Sequence, residues 1–115
     1  MLKILKEGNK LYKMILKYEK YVKDIAKSAK MILKDADIYL FGSVINNNTV
    51  AGSDIDILII SGVPKNHIIR ANICAKIEEL AGLPFSHPFH IHLIDYEQFK
   101  IWKKIYNIKY KKVNI

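Results

Sequence analysis

Two aspartates one residue apart, Asp54 and Asp56, stand at the head of the aliphatic run Ile57-Leu58-Ile59-Ile60. On a β-strand such residues point to the same face, with α-carbons about 6.6 Å apart at ~3.3 Å per residue. Two carboxylates aimed at one spot repel and raise each other's pKa, a cost that a hard cation removes. Mg²⁺ suits the arrangement because it takes one or two carboxylates together with substrate phosphates and retained waters. Upstream, Gly42-Ser43 closes a second short apolar run, Ile38-Tyr39-Leu40-Phe41. A glycine there lets the backbone approach a ligand closely, and the neighbouring N–H groups and hydroxyl are donors for phosphate oxygens. An isolated Asp-x-Asp is more often a turn cap beside a solvated strand end. Its combination with a Gly-Ser turn gives it weight, since a cation grip and a phosphate grip then coexist. Neither a Gly-x-x-x-x-Gly-Lys phosphate loop nor a Gly-x-Gly-x-x-Gly dinucleotide fingerprint occurs.

The elements that must position these groups follow from periodicity. Leu11, Ile15, Tyr18, Val22, Ile25, Ala29 and Ile32 recur at four-three spacing, one stripe of an amphipathic helix of about 25 residues. Lys10, Lys13, Lys17, Lys20, Lys27 and Lys34 fall on its other side. Asp35-Ala36-Asp37 breaks the period, Ile38–Phe41 reads as a strand, and Asn46-Asn47-Asn48-Thr49 and Gly52-Ser53 are turn composition. Asp54 to Ile60 reads as a central strand, apolar on both faces beyond its first residues. Ile69, Ile73, Ile77 and Leu80 mark a helix that Ala81-Gly82-Leu83-Pro84 stops. A third strand is expected over Phe89–Ile94, a last helix over Tyr96–Tyr106 and an edge strand near Tyr110–Val113. This alternation predicts an α/β (α+β) fold, a sheet of three or four strands packed with helices. The expected organisation is one domain over 1–115: a basic amphipathic helix region at 1–34, a sheet core at 38–95 and a C-terminal helix and tail at 96–115.

With 115 residues, half of them hydrophobic and 26% charged, the composition is that of one globular core. Cys74 is the sole cysteine, which excludes an internal disulfide, a thiolate zinc cluster and a Cys-x-x-Cys pair. No run approaches the ~18 apolar residues of a membrane span, and Met1 to Lys6 alternates lysine with aliphatics unlike an export signal. A cytoplasmic protein is expected. The net charge of +8 hides two opposite regions. Residues 1–34 and 100–115 hold sixteen lysines against three acids, whereas 35–99 hold three basic residues against eight acidic ones. An acidic centre in a basic chain points to a cation site. The lysine face of the first helix reads first as a solvated outer surface, and second as a rail for nucleic-acid phosphates.

Phe41-Gly42-Ser43, ten intervening residues and Asp54-Ile55-Asp56-Ile57-Leu58-Ile59 resemble the signature of the DNA polymerase beta nucleotidyltransferase superfamily. The similarity is to its minimal one-domain branch and runs from the first helix through Leu83-Pro84 and His87-Pro88-Phe89 to Ile94. The resemblance implies a mixed sheet and a nucleoside triphosphate with its phosphates at Gly42 and Ser43, with Ser53 of the second turn as a further contact. It also implies Mg²⁺, or Mn²⁺, held by Asp54 and Asp56, and transfer of a nucleoside monophosphate to an acceptor hydroxyl. In similar minimal proteins the partner is often a HEPN-domain protein, the pair acting as toxin and antitoxin. An oligomer interface is the other expected source of acceptor binding.

Family enzymes complete the site with a third carboxylate on the next strand, and here the chain departs from the pattern. His90 and His92 share the inward parity, while Asp95 lies on the other parity or just past the strand end. His92 as a neutral general base, or Asp95 swinging in, are the candidates for the missing catalytic group. His-x-His with His87 nearby could also chelate zinc, a reading ranked below the other two. The alternatives to an active enzyme are a degenerate nucleotide- or partner-binding module of the same fold and, last, a basic nucleic-acid-binding protein.

Overall fold

In the computed structural model, described for residues 10–42, 55–106 and 109–114, the amphipathic stripe forms two consecutive helical segments, α1 (10–16) and α2 (Tyr18–Ile32). Met14, Ile15, Val22, Ile25, Ala26 and Ala29 are buried, and the six lysines opposite the stripe are all exposed. The single helix expected from the spacing is interrupted at Lys17, whose N–H is shared between the carbonyls of Lys13 and Met14, both at 3.2 Å. A donor split between the i−4 and i−3 acceptors tightens one turn without moving the stripe off the core.

The chain continues through β1 (Asp37–Phe41), β2 (Ile55–Ile60), α3 (His67–Leu80), β3 (Phe89–Ile94), α4 (Tyr96–Tyr106) and β4 (Tyr110–Lys112). The sheet order is β3-β2-β1-β4. β1 pairs antiparallel with both β2 and β4, and β2 pairs parallel with β3 across the α3 crossover. The sheet is therefore mixed, with β2 buried at its centre as its unbroken aliphatic run predicts. Alternation divides the strands between two cores. Ile38, Ile55, Ile57, Ile59, Phe89 and Leu93 face the first three helices. Leu58, Ile60 and Ile94 meet Phe99 of α4 on the other side, with Tyr39, Phe41 and Trp102 at the margin.

Caps define the element ends. Asn66 Oδ1 accepts from the N–H groups of Ile68 and Ile69 to start α3. Gly82, at φ +70°, ends it with Leu83 N–H donating to Glu78 O and Gly82 N–H to Glu79 O, a paired closure that needs a left-handed residue. Between α2 and β1, the Asp35 carboxylate accepts from the buried Ser61 hydroxyl and, at 2.8 Å, from Gly62 N–H. This clamp ties the start of β1 to the end of β2. It lies at the end of these two inner strands away from Phe41 and Asp56, since Asp37 pairs with Ile60 and Phe41 with Asp56.

Candidate active site

The register of three strands brings the chemistry-bearing side chains together. Asp56 lies opposite Phe41 on one side and His90 on the other, and His92 lies opposite Leu58. Asp56, His90 and His92 share one face by parity, the face on which α4 packs. One ligand atom from each lies within 4.8 Å of the others. His92 Nε2 is 3.3 Å from Asp56 Oδ1. The His92 ring is flanked by Phe41, with centroids 5.2 Å apart, and by Trp102, at 6.0 Å, both edge-on. His92 and Asp56 are both partly open, at 37% and 28% side-chain exposure. They can therefore meet a ligand from solvent.

Gly42 follows directly, at φ +82°. A methyl group on its α-carbon would lie 2.6 Å from Asp56 Oδ2. Glycine is needed here twice over, for the left-handed backbone and for the close passage of the turn over the carboxylate. The turn that the sequence assigns to phosphate binding and the acid assigned to metal binding thus touch. Ser43, Ser53 and Asp54 lie outside the described residues, as does the Asn46–Thr49 stretch.

Asp95 is not brought to this cluster. β3 runs parallel to β2 with His90 beside Asp56 and Ile94 beside Ile60, so Asp95 follows at the opposite end of the strand, ~16 Å along at ~3.3 Å per residue. There its Oδ1 accepts from Gln98 N–H at 2.8 Å while Gln98 Oε1 accepts from Asp95 N–H at 3.1 Å. This reciprocal pair caps α4. Arg70 reaches across from α3 to bond Asp95 Oδ2 at 3.2 Å, Gln98 Oε1 at 2.6 Å and Pro64 O at 2.7 Å. The Gln98 N–H and the Arg70 guanidinium hold the Asp95 carboxyl below its ordinary range. The sequence expectation of Asp95 as the missing catalytic acid is corrected accordingly: its bonds are spent on positioning α4. His87 is likewise outside the cluster. Phe89 N–H donates to its Nδ1 at 3.1 Å, which leaves Nε2 to carry the ring proton toward Glu78 Oε1 at 3.2 Å. The Cys74 thiol, pushed up to about 11 by burial and by Glu78, stays protonated and unreactive at neutral pH.

The chain belongs to the nucleotidyltransferase domain family, whose model matches residues 17–115. It is similar to a crystal structure of a protein provisionally designated a nucleotidyltransferase, with 32% identity and a TM-score of 0.63 over 80% of this chain and 96% of that one. The fold is also shared with a protein of the same provisional designation from Sulfolobus solfataricus, at 17% identity and a TM-score of 0.63, over 85% of this chain and 82% of that one. No curated protein matches. Among the described residues no helix is long and apolar enough to cross a membrane.

The donor chemistry accepts a divalent cation. Asp56 offers carboxylate oxygens on a partly open face, and among the described residues its polar partner is the His92 imidazole, itself a possible cation ligand.

Proposed function

We propose that this domain transfers a nucleoside monophosphate from a nucleoside triphosphate to an acceptor hydroxyl. The observation that carries the reading is the contact between the Gly42 turn and the Asp56 carboxylate, because phosphate and cation sites must share one location for this chemistry. Asp54 and Asp56 would hold Mg²⁺ or Mn²⁺, which when bound offsets triphosphate charge as it shifts onto the leaving group. Gly42 gives the phosphates access to bare backbone, and the Ser43 and Ser53 hydroxyls donate to phosphate oxygens. The acceptor oxygen attacks the α-phosphorus in line, the bond to the β-phosphate bridging oxygen breaks, and pyrophosphate leaves. His92 Nε2 takes the acceptor proton, its ring held by Phe41 and Trp102. Positioning of the two reactants contributes most of the acceleration.

The acceptor is proposed to lie on a HEPN-domain protein, with this chain as the antitoxin of the pair. The resemblance to minimal one-domain members of the family, which often pair with such a protein, supports this choice of partner. Incubation with α-labelled triphosphates and that partner should label the partner with wild type and not with the Asp54→Ala plus Asp56→Ala variant. A second reading is favoured by one observation: beside Asp56 on β3 stands His90, where a third carboxylate would be expected. A module of the same fold that binds nucleotide or partner without turnover would retain metal-dependent binding and transfer no label.

A further inference from the structure

We infer that Asp56, His90 and His92 form a binding site for a borderline transition cation of the Zn²⁺ or Co²⁺ kind, occupied without nucleotide and selective against Mg²⁺. Two imidazole nitrogens and one carboxylate are poor donors for Mg²⁺, which prefers oxygen throughout, and good donors for Zn²⁺ and Co²⁺. The spacing agrees. His92 Nε2 and Asp56 Oδ1 stand 3.3 Å apart, beyond the ~2.7–3.2 Å of a good N–H···O bond. Two ligands of a tetrahedral ion with bonds of ~2.0–2.1 Å are separated by ~3.4 Å. The third ligand atom lies no farther than 4.8 Å from either, and closing that gap asks at most ~1.4 Å of the exposed His90 ring. The site is also partly preorganised. His90 and Asp56 are paired neighbours on adjacent strands, and Phe41 and Trp102, in contact with each other, both pack edge-on against the His92 ring. Three protein ligands leave a fourth position open, as in catalytic rather than structural zinc sites.

The inference shares Asp56 with the proposed transfer site, but its test needs no nucleotide, so the two can fail separately. It has one chemical consequence for that site: a coordinated Nε2 cannot accept a proton, so occupation by this cation and the proton-acceptor role of His92 exclude each other. The test is titration of untagged protein with Co²⁺ alone, read by the visible ligand-field absorption of four-coordinate cobalt. The expected result is one equivalent bound, displaced by Zn²⁺ and unaffected by a large excess of Mg²⁺. The His67→Asn control, altered at the exposed start of α3, should behave as wild type. His90→Asn and His92→Asn should each weaken binding by about 100-fold or more. His90 is exposed, so its replacement tests the ligand without disturbing the core. Absence of the cobalt bands, displacement by Mg²⁺, or unchanged binding in a folded His90→Asn protein would overturn the inference.

Discussion

Asp56 is the residue on which the site turns, and Gly42 is the one that makes room for it. Replacing Gly42 by alanine puts a methyl group 2.6 Å from Asp56 Oδ2 and forces a side chain into the left-handed region at φ +82°. Gly42→Ala should cost about 1–2 kcal/mol of stability from backbone strain alone, read from the denaturant midpoint. It should also lower metal-dependent nucleotide affinity at least ~10-fold, because carboxylate or turn must shift by more than a bond length's tolerance. The pairing of a Gly-Ser turn with Asp-x-Asp was legible from residue types and spacing, since each half has its own chemistry. The role of Asp95 was not. Asp95-x-x-Gln98 is a capping pattern in plain view, but its use as one is decided by Arg70, 25 residues away on another element. The same holds for His87, whose partner Glu78 lies on α3.

At the scale of elements, β2 positions the acid and its neighbours position β2. Ile57 is fully buried between β1 and β3 on the face opposite Asp56. Ile57→Ala should destabilise the fold by about 2–5 kcal/mol, measured by chemical denaturation. Asp95→Ala removes the cap of α4 and strands part of the Arg70 guanidinium. It should lower the melting temperature while leaving metal-dependent nucleotide binding near wild type, whereas a catalytic acid would show the opposite pattern. The strands and helices themselves were readable. The spacing of Ile69, Ile73, Ile77 and Leu80 with the Gly82 stop gives α3, the run Phe89–Ile94 gives β3, and the four-three stripe gives α2. The interruption at Lys17 was not readable, because no proline or glycine marks it and the stripe continues through it. Which strand pairs with which was also open, since local pattern does not specify register.

For the whole molecule, charge and pH matter most. The lysines of α1 and α2 are exposed on the face turned away from the core, as a solvated outer surface requires. Two carboxyl groups, Asp35 and Asp95, join distant parts of the chain and are held below the ordinary carboxylate value of 3.8. The Ser61 hydroxyl and Gly62 N–H depress the first, and the Gln98 N–H and Arg70 depress the second. A folded-state pKa below the unfolded one adds stability that is complete above the unfolded value and is lost as pH falls through the lowered folded value. The contribution of these two groups to the melting temperature should therefore be complete above about pH 4 and be lost as pH falls below it. The Asp35→Asn variant should start lower and fall less.

The convergence of the Gly42 turn and the Asp56 carboxylate on one nucleotide and one cation is tested most directly by calorimetric titration of ATP and GTP, with and without Mg²⁺ or Mn²⁺. Wild type should bind a triphosphate only when the cation is present, and Asp56→Ala should lose that dependence together with most of the affinity. Binding that is the same with and without the cation, or the same in wild type and a folded Asp56→Ala protein, would contradict the account.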